Sequence, residues 1–368
     1  MYRNYSLISI AAISAAPLFA HAGPVDEPMI HEDGWVQEAS IDFVNPVSAL
    51  INPADGLIYL GRRTGNIYRT DYAAKSELIV LSSEVAGIAY DPISEGLFFS
   101  EDFPGRIYRV DIDNMSGAVS SQLWVSGFHS GDDDPVGIEL VPMNYSGGLL
   151  TPGTMVSTDR GFNGPNGIWS WSPVVAEDEV LTHNDDSILV DPVDIAVNSQ
   201  SIMIADSTNG VQVLNDDNSI SNLTTNGVVF ADAQGVVFDT RSDDLFVLDV
   251  DLDAVYRVDV NSGNATLIVD HLGTESPNWG GINIDDDGTT QRLIVSSMGN
   301  DQVYIFSNTP PCSNADLSGP FGVLNFFDVS AFLTAFNSMD PIADFSTDGQ
   351  FNFFDVSAFL QAFNAGCP

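Results

Sequence analysis

The chain has 368 residues, with 11 Lys and Arg against 51 Asp and Glu, and a formal net charge of −40. Such an excess of anionic charge repels phosphate backbones and anionic lipid, so nucleic acid and membrane surfaces are excluded as partners. Only 17% of residues are charged and 44% are hydrophobic, a composition that folds instead of remaining a disordered acidic tail. The acidity then belongs either to a solvated surface suited to a saline or calcium-rich exterior, or to an extended cation-binding surface.

At the start of the chain, Arg3 precedes an apolar run over residues 7–19 and the triplet Ala20, His21, Ala22. A basic residue, a short apolar core and an A-x-A site read as a secretory signal peptide over residues 1–22. The expectation is a secreted, extracellular or cell-surface protein. No later apolar run is long enough to cross a bilayer, so no membrane insertion is expected.

From 34 to 308, short runs rich in Val, Ile, Phe and Tyr alternate with Gly, Asp, Asn and Pro turns, an all-β pattern. The segments VSALINPADGLIYLGRRTGNIYRTD from Val47 and AGIAYDPISEGLFFSEDFPGRIYRVD from Ala86 are copies of one unit. Looser copies start at Val136, Val193, Gln234 and Gly280. Six units of about 40 residues or more predict a six-bladed β-propeller. Each inner strand carries one small or special residue near its start: Ser48, Gly87, Gly137, Asp194, Gly235 or Gly281. Crowding where six strands converge on an axis accounts for the small ones. The last unit stops near Phe306 with one strand too few, and the run over residues 35–43 is placed to supply it and close the ring.

These repeats resemble the NHL and YWTD propeller families, the first through GIAYD and the second through GLFFSEDFPGRIYRVD. Some six-bladed propellers, the gluconolactonase-like hydrolases, hold a divalent metal over the channel with Glu, Asn and Asp from different blades. Asp194 and Asp206 are the candidates here for that role, with turn capping as the competing reading. The acidic run at residues 131–135 is a second cation candidate or a solvated loop. The histidines, His21, His31, His129, His183 and His271, show no zinc spacing, and no G-x-S-x-G element marks a serine nucleophile.

Residues 309–311 form a short Pro-rich linker before a second unit over 312–368. There the nonamer NFFDVSAFL occurs at Asn325 and again at Asn352. Upstream of the second copy, Asp344, Ser346, Asp348, Gly349, Gln350, Asn352 and Asp355 occupy positions 1, 3, 5, 6, 7, 9 and 12 of a calcium loop. Alternate oxygen side chains converge on a hard cation, Gly makes the sharp turn and a carboxylate closes the shell. The first copy offers Asp316, Ser318, Asn325 and Asp328, but spans thirteen residues and has no position-5 carboxylate. Helices follow both loops, with Val356, Phe359, Leu360 and Phe363 as the expected buried stripe of the second.

Two loop-helix units in tandem resemble a type I dockerin of a cysteine-flanked, planctomycete-like subgroup. The resemblance implies calcium binding and attachment to a cohesin-type partner. Phe326, Phe327, Phe353 and Phe354 cannot all point inward, which makes each pair a candidate docking patch. Cys312 and Cys367 bracket the unit. The simplest reading is one disulfide joining its ends, the other being two free or intermolecular thiols. The expectation is a monomeric, secreted propeller that binds a ligand or serves as a scaffold and is anchored by its C-terminal unit. The alternative is an anchored hydrolase or lyase acting on lactones or polysaccharides.

Overall fold

The computed structural model describes residues 27–72, 75–80, 84–102, 105–112, 119–126, 134–160, 166–176, 179–184, 188–274, 279–319 and 321–367. The signal-peptide segment and residues 131–133 of the acidic run lie outside them. Six antiparallel sheets form a six-bladed propeller, and two helices follow it.

The inner strands are Pro46–Ile51, Val85–Asp91, Pro135–Leu140, Pro192–Val197, Ala233–Phe238 and Gly280–Asp286, for blades 1 to 6. In blades 1 to 5 the pairing with the second strand slips near the start of the inner strand, between Pro46 and Ser48 in blade 1 and between Pro192 and Asp194 in blade 4. Such bulges re-aim one residue, here at the position the repeat keeps small. A Cβ on Gly87 would lie 2.2 Å from Val136 O of blade 3, and one on Gly281 would lie 2.4 Å from Val47 O of blade 1. A Cβ on Gly137 would lie 2.6 Å from Asp194 Cα of blade 4, and one on Gly235 2.7 Å from Ile282 Cγ2 of blade 6. The glycines are therefore contact points between neighbouring inner strands.

Second strands such as Gly96–Glu101, Met155–Asp159, Ile202–Asp206 and Leu245–Asp249 are buried along their whole length, because both faces pack on adjacent blades. Their last residue has a recurring task. Asp206 Oδ2 accepts the N–H groups of Val190 and Asp191, and its Oδ1 those of Thr208 and Asn209. Asp249 repeats this with Ala231, Asp232 and Leu252. In blades 4 and 5 these carboxylates staple the loop entering the blade to the turn leaving its second strand, and so pair backbone donors that neither sheet ladder satisfies. The arginine of IYRVD is architectural too. Arg109 lies over the Trp124 and Phe98 rings and donates to Asp111 and to the carbonyls of Pro173 and Ser94.

Ring closure follows the expected route. Trp35–Asp42 pairs antiparallel with Gln302–Asn308, Trp35 opposite Asn308 and Asp42 opposite Gln302. Upstream of it, Met29–Ile30 adds a fifth strand to blade 5 by pairing with Ala265–Asp270, so the N-terminal segment covers the edges of two blades.

The nonamer repeat folds twice into the same structure. Helix α1 (Phe326–Ser338) is capped by Asn325 with Asp328, and α2 (Phe353–Ala365) by Asn352 with Asp355. In each case the Asn side chain accepts from the backbone of the first turn while the Asp accepts the Asn N–H. The helices meet through Phe332 and Phe359, whose rings stack 4.1 Å apart at 6°. Phe345 stands edge-on to both. Ala315 and Ala343 complete this small core. One expectation is corrected: Leu360 is half exposed, because a helix resting on a single partner buries only the narrow Val356, Phe359, Phe363 stripe. A disulfide joins Cys312 and Cys367, with Cα atoms 5.2 Å apart.

Candidate functional site

The two C-terminal loops are scaffolded alike. In the second, Asp344 at position 1 accepts the N–H groups of Asp348 (3.2 Å) and Gly349 (2.8 Å), and Gly349 makes its turn at φ +73°. Asp355 at position 12 accepts those of Ser346 (2.9 Å) and Asn352 (2.8 Å). These backbone donors hold its carboxyl below the ordinary range, helped by the nearby Ser346 hydroxyl, so it is a carboxylate at neutral pH.

In the first loop, Asp316 accepts from Gly322 (2.6 Å) and Cys312 (2.9 Å), and Asp328 from Leu317, Ser318 and Asn325. Gly322 thus stands where Gly349 stands. The extra residue of this loop falls between Asp316 and Gly322, and the half from Gly322 to Asp328 keeps the standard length.

The donor set suits calcium: it is oxygen-only, carboxylate-rich and built round a glycine turn. Asp316 Oδ1 is buried and has no hydrogen-bond partner, and Ser346 Oγ is buried without a well-formed one. An unpaired buried oxygen at a position-1 carboxylate is what a cation would satisfy. Asp344, Asp348 and Asp355 do not close to within 4.8 Å as a trio. The described cluster that does, Cys312, Asp316 and Cys367, contains disulfide sulfurs that do not ligate. Between the last two loop ligands of each copy, Phe326 and Phe353 are each 76% exposed, Phe327 61% and Phe354 68%. The duplicated pairs therefore lie on the surface of both helices.

In the propeller, the axis holds a narrow cavity of about 50 Å³. Glu139, Asp194, Gln234 and Asn283 line it, from blades 3, 4, 5 and 6. Asp194 reaches across to accept the Val236 N–H of blade 5 at 3.0 Å, which explains why this inner strand carries a side chain where its siblings carry Gly or Ser. Burial raises Asp194 to about 7, and burial together with the Asp194 charge raises Glu139 to about 8.

Of the two residues singled out for a propeller-hydrolase metal set, Asp194 lines the channel and Asp206 does not. Asp206 is saturated by four N–H donors, and Asp194 spends an oxygen on Val236. Glu139 and Asn283 each accept the N–H group that follows them in sequence, so each of the three channel groups already carries one backbone hydrogen bond. Glu139 escaped the sequence reading, although strand alternation from Gly137 places it on the channel side.

No protein-family model and no curated protein sequence matches the chain. Solved structures do. A gluconolactonase from Xanthomonas campestris aligns with a TM-score of 0.57 at 14% identity, over 77% of this chain and 95% of its own. A Trichoderma reesei carbohydrate-active enzyme of family AA12 gives 0.57 at 12%, over 78% and 98%. A calcium-binding regucalcin from Agrobacterium tumefaciens gives 0.53 at 11%, over 73% and 92%. At these identities the likeness is one of fold: a six-bladed propeller with neighbours among gluconolactonase and regucalcin structures. The NHL, YWTD and dockerin resemblances remain resemblances of sequence.

Proposed function

We propose that the protein is exported and divides its work between two parts, a propeller that presents a ligand-binding face and a calcium-loaded C-terminal unit that docks onto a cohesin-type or cell-surface partner. The observation that carries this reading is the duplicated loop. Each copy pins a position-1 and a position-12 carboxylate with backbone N–H groups, and the first leaves Asp316 Oδ1 buried and unpaired. Asp344, Ser346, Asp348, Gln350, Asn352 and Asp355 would hold one ion, and Asp316, Ser318, Asn325 and Asp328 a weaker one, since that loop has no position-5 carboxylate. Calcium would oppose mutual repulsion among these carboxylates and fix the angle between α1 and α2. The exposed phenylalanine pairs would then form a docking patch in two related copies. Calorimetric titration of calcium into the full chain tests this: saturable binding reduced by Asp344→Ala supports it, and no binding overturns it.

A second reading, hydrolysis of a lactone, is favoured by Glu139 and Asp194, whose raised affinities for protons would suit general-base work near neutrality. Its weakness is space, since a small-molecule pocket takes roughly 300 Å³ or more and the cavity beside these groups holds about 50 Å³. Turnover of glucono-δ-lactone that Asp194→Asn abolishes would favour it over the binding reading.

A further inference from the structure

Of the chain's eleven basic residues, two converge where the loops enter the inner strands, at the mouth of the channel. Arg160 follows the second strand of blade 3 and lies 4.2 Å from the centroid of the Trp279 ring, at the entry to blade 6. Arg63 of blade 1 lies 5.3 Å from the same ring. Around them stand Glu84 and Asp102 of blade 2 and Asp191 of blade 4. Their separations are those of loose ion pairs: Arg63 to Glu84 3.3 Å, Arg160 to Asp102 3.6 Å and to Asp191 3.9 Å.

The arginines are thus held by charge, by the indole and by a weak contact from Arg63 Nη1 to Met298 Sδ at 3.9 Å, and among the described residues no oxygen accepts a hydrogen bond from either guanidinium. Arg160 Nε is buried without an acceptor and Glu84 Oε1 is buried without a donor. Arg241 and Arg292 are by contrast committed: Arg241 grips Asp286 through two nitrogens, and Arg292 binds Glu38 and Asp287. Burial also raises Glu84 to about 7, against the lowering effect of Arg63.

We infer that this mouth is the propeller's ligand site and that it takes a hydroxylated carboxylate, a hydroxy acid or uronic-acid residue, whose carboxylate meets Arg160 and Arg63 and whose hydroxyls donate to Glu84 and Asp191. The mixed polarity decides the class. Three carboxylates at the rim repel a bare anion, so the ligand must bring donors as well as a charge. A neutral sugar would leave the two guanidinium groups unmatched, and the planar donor fork of arginine suits a carboxylate. Trp279 supplies an apolar wall between the cations. This inference rests on reading the propeller as the ligand-binding half. The effect of Asp344→Ala on calcium titration reports on the C-terminal loop, and galacturonate binding on the channel mouth, so either idea can fail without the other.

The test is calorimetry on the full chain with D-galacturonate, D-galactose and propionate as probes. The expected result is saturable binding of galacturonate, at least about tenfold tighter than of either control, because each control lacks one half of the match. Arg160→Gln should weaken it by at least about tenfold. Since Arg160 is mostly buried, Arg63→Gln is the companion variant, at a side chain 41% exposed, and it should weaken binding severalfold without changing the melting temperature. No galacturonate binding up to about 10 mM, equal binding of galactose, or affinity unchanged in Arg63→Gln would overturn the assignment.

Discussion

Phe359→Ala probes whether the two C-terminal helices stand only together. Phe359 is 1% exposed, stacks on Phe332 at 4.1 Å and meets the edge of Phe345 at 5.4 Å. Truncating a buried phenylalanine costs about 3–5 kcal/mol. A unit this small, with one core, rarely holds more than about 3–5 kcal/mol in total. The variant should therefore sit at or below its folding midpoint without calcium.

An ion at about 100 times its Kd would return about 2.7 kcal/mol per site, which offsets the loss only in part. Hydrogen exchange on the full chain reads this directly. Amides of α1, which carries no mutation, should lose protection together with those of α2, by roughly a hundredfold or more. Calcium should restore part of it, and amides of the propeller should not change. Phe354→Ala, at a residue 68% exposed, should shift protection by under about 0.5 kcal/mol. Loss of protection confined to α2 would refute the shared core and show that the first loop-helix unit holds itself.

Other outcomes follow from the same geometry. Gly87→Ala places a methyl 2.2 Å from Val136 O and should destabilise the propeller by about 1–3 kcal/mol or more, read in urea melts. Glu139 and Asp194 bind protons more tightly when folded, to about 8 and about 7, so the folded chain holds more protons than the unfolded one between the ordinary carboxylate range and those values. Their contribution is therefore fully present in acid and lost as pH rises toward 8. Glu139→Gln should flatten that slope and stabilise the fold at pH ~8.5 by on the order of 1 kcal/mol; an unchanged slope would contradict the burial argument. Replacing Cys312 and Cys367 by Ser opens a link of 55 residues' separation, worth about 4 kcal/mol on chain entropy, and should lower the melting transition of α1 and α2 while sparing the propeller. Deleting Trp35–Asp42 frees the edge of Gln302–Asn308 and should yield aggregating protein, detectable by light scattering.

Much of the architecture was legible in the letters, because repetition multiplies a weak local signal. Six loose copies gave the blade number, the missing sixth-blade strand pointed to Trp35–Asp42, and the nonamer announced two like-capped helices. The Met29–Ile30 strand on blade 5 was not legible, since two residues carry no periodicity. Leu360 was misplaced because helical spacing marks an apolar face without saying how wide its partner is.

The candidate sites divide along the same line. The candidate calcium loop is local: Asp344, Gly349, Asn352 and Asp355 lie within a dozen residues, so spacing alone marked the turn at Gly349 and the cap at Asn352. The phenylalanine pairs were legible in part: adjacent residues on a helix cannot share a buried stripe, so all four could not point inward, and the fold leaves all four exposed. Tertiary structure decided everything that depends on neighbouring blades. It turned Asp206 into a four-donor staple, gave Asp194 a partner on blade 5, and set Glu139 beside it. It also brought Arg63, Arg160 and Trp279, from blades 1, 3 and 6, to one channel mouth. No spacing in the chain encodes that meeting, because a ring closes residues from remote blades onto a common axis, where charge and burial depend on the whole circle.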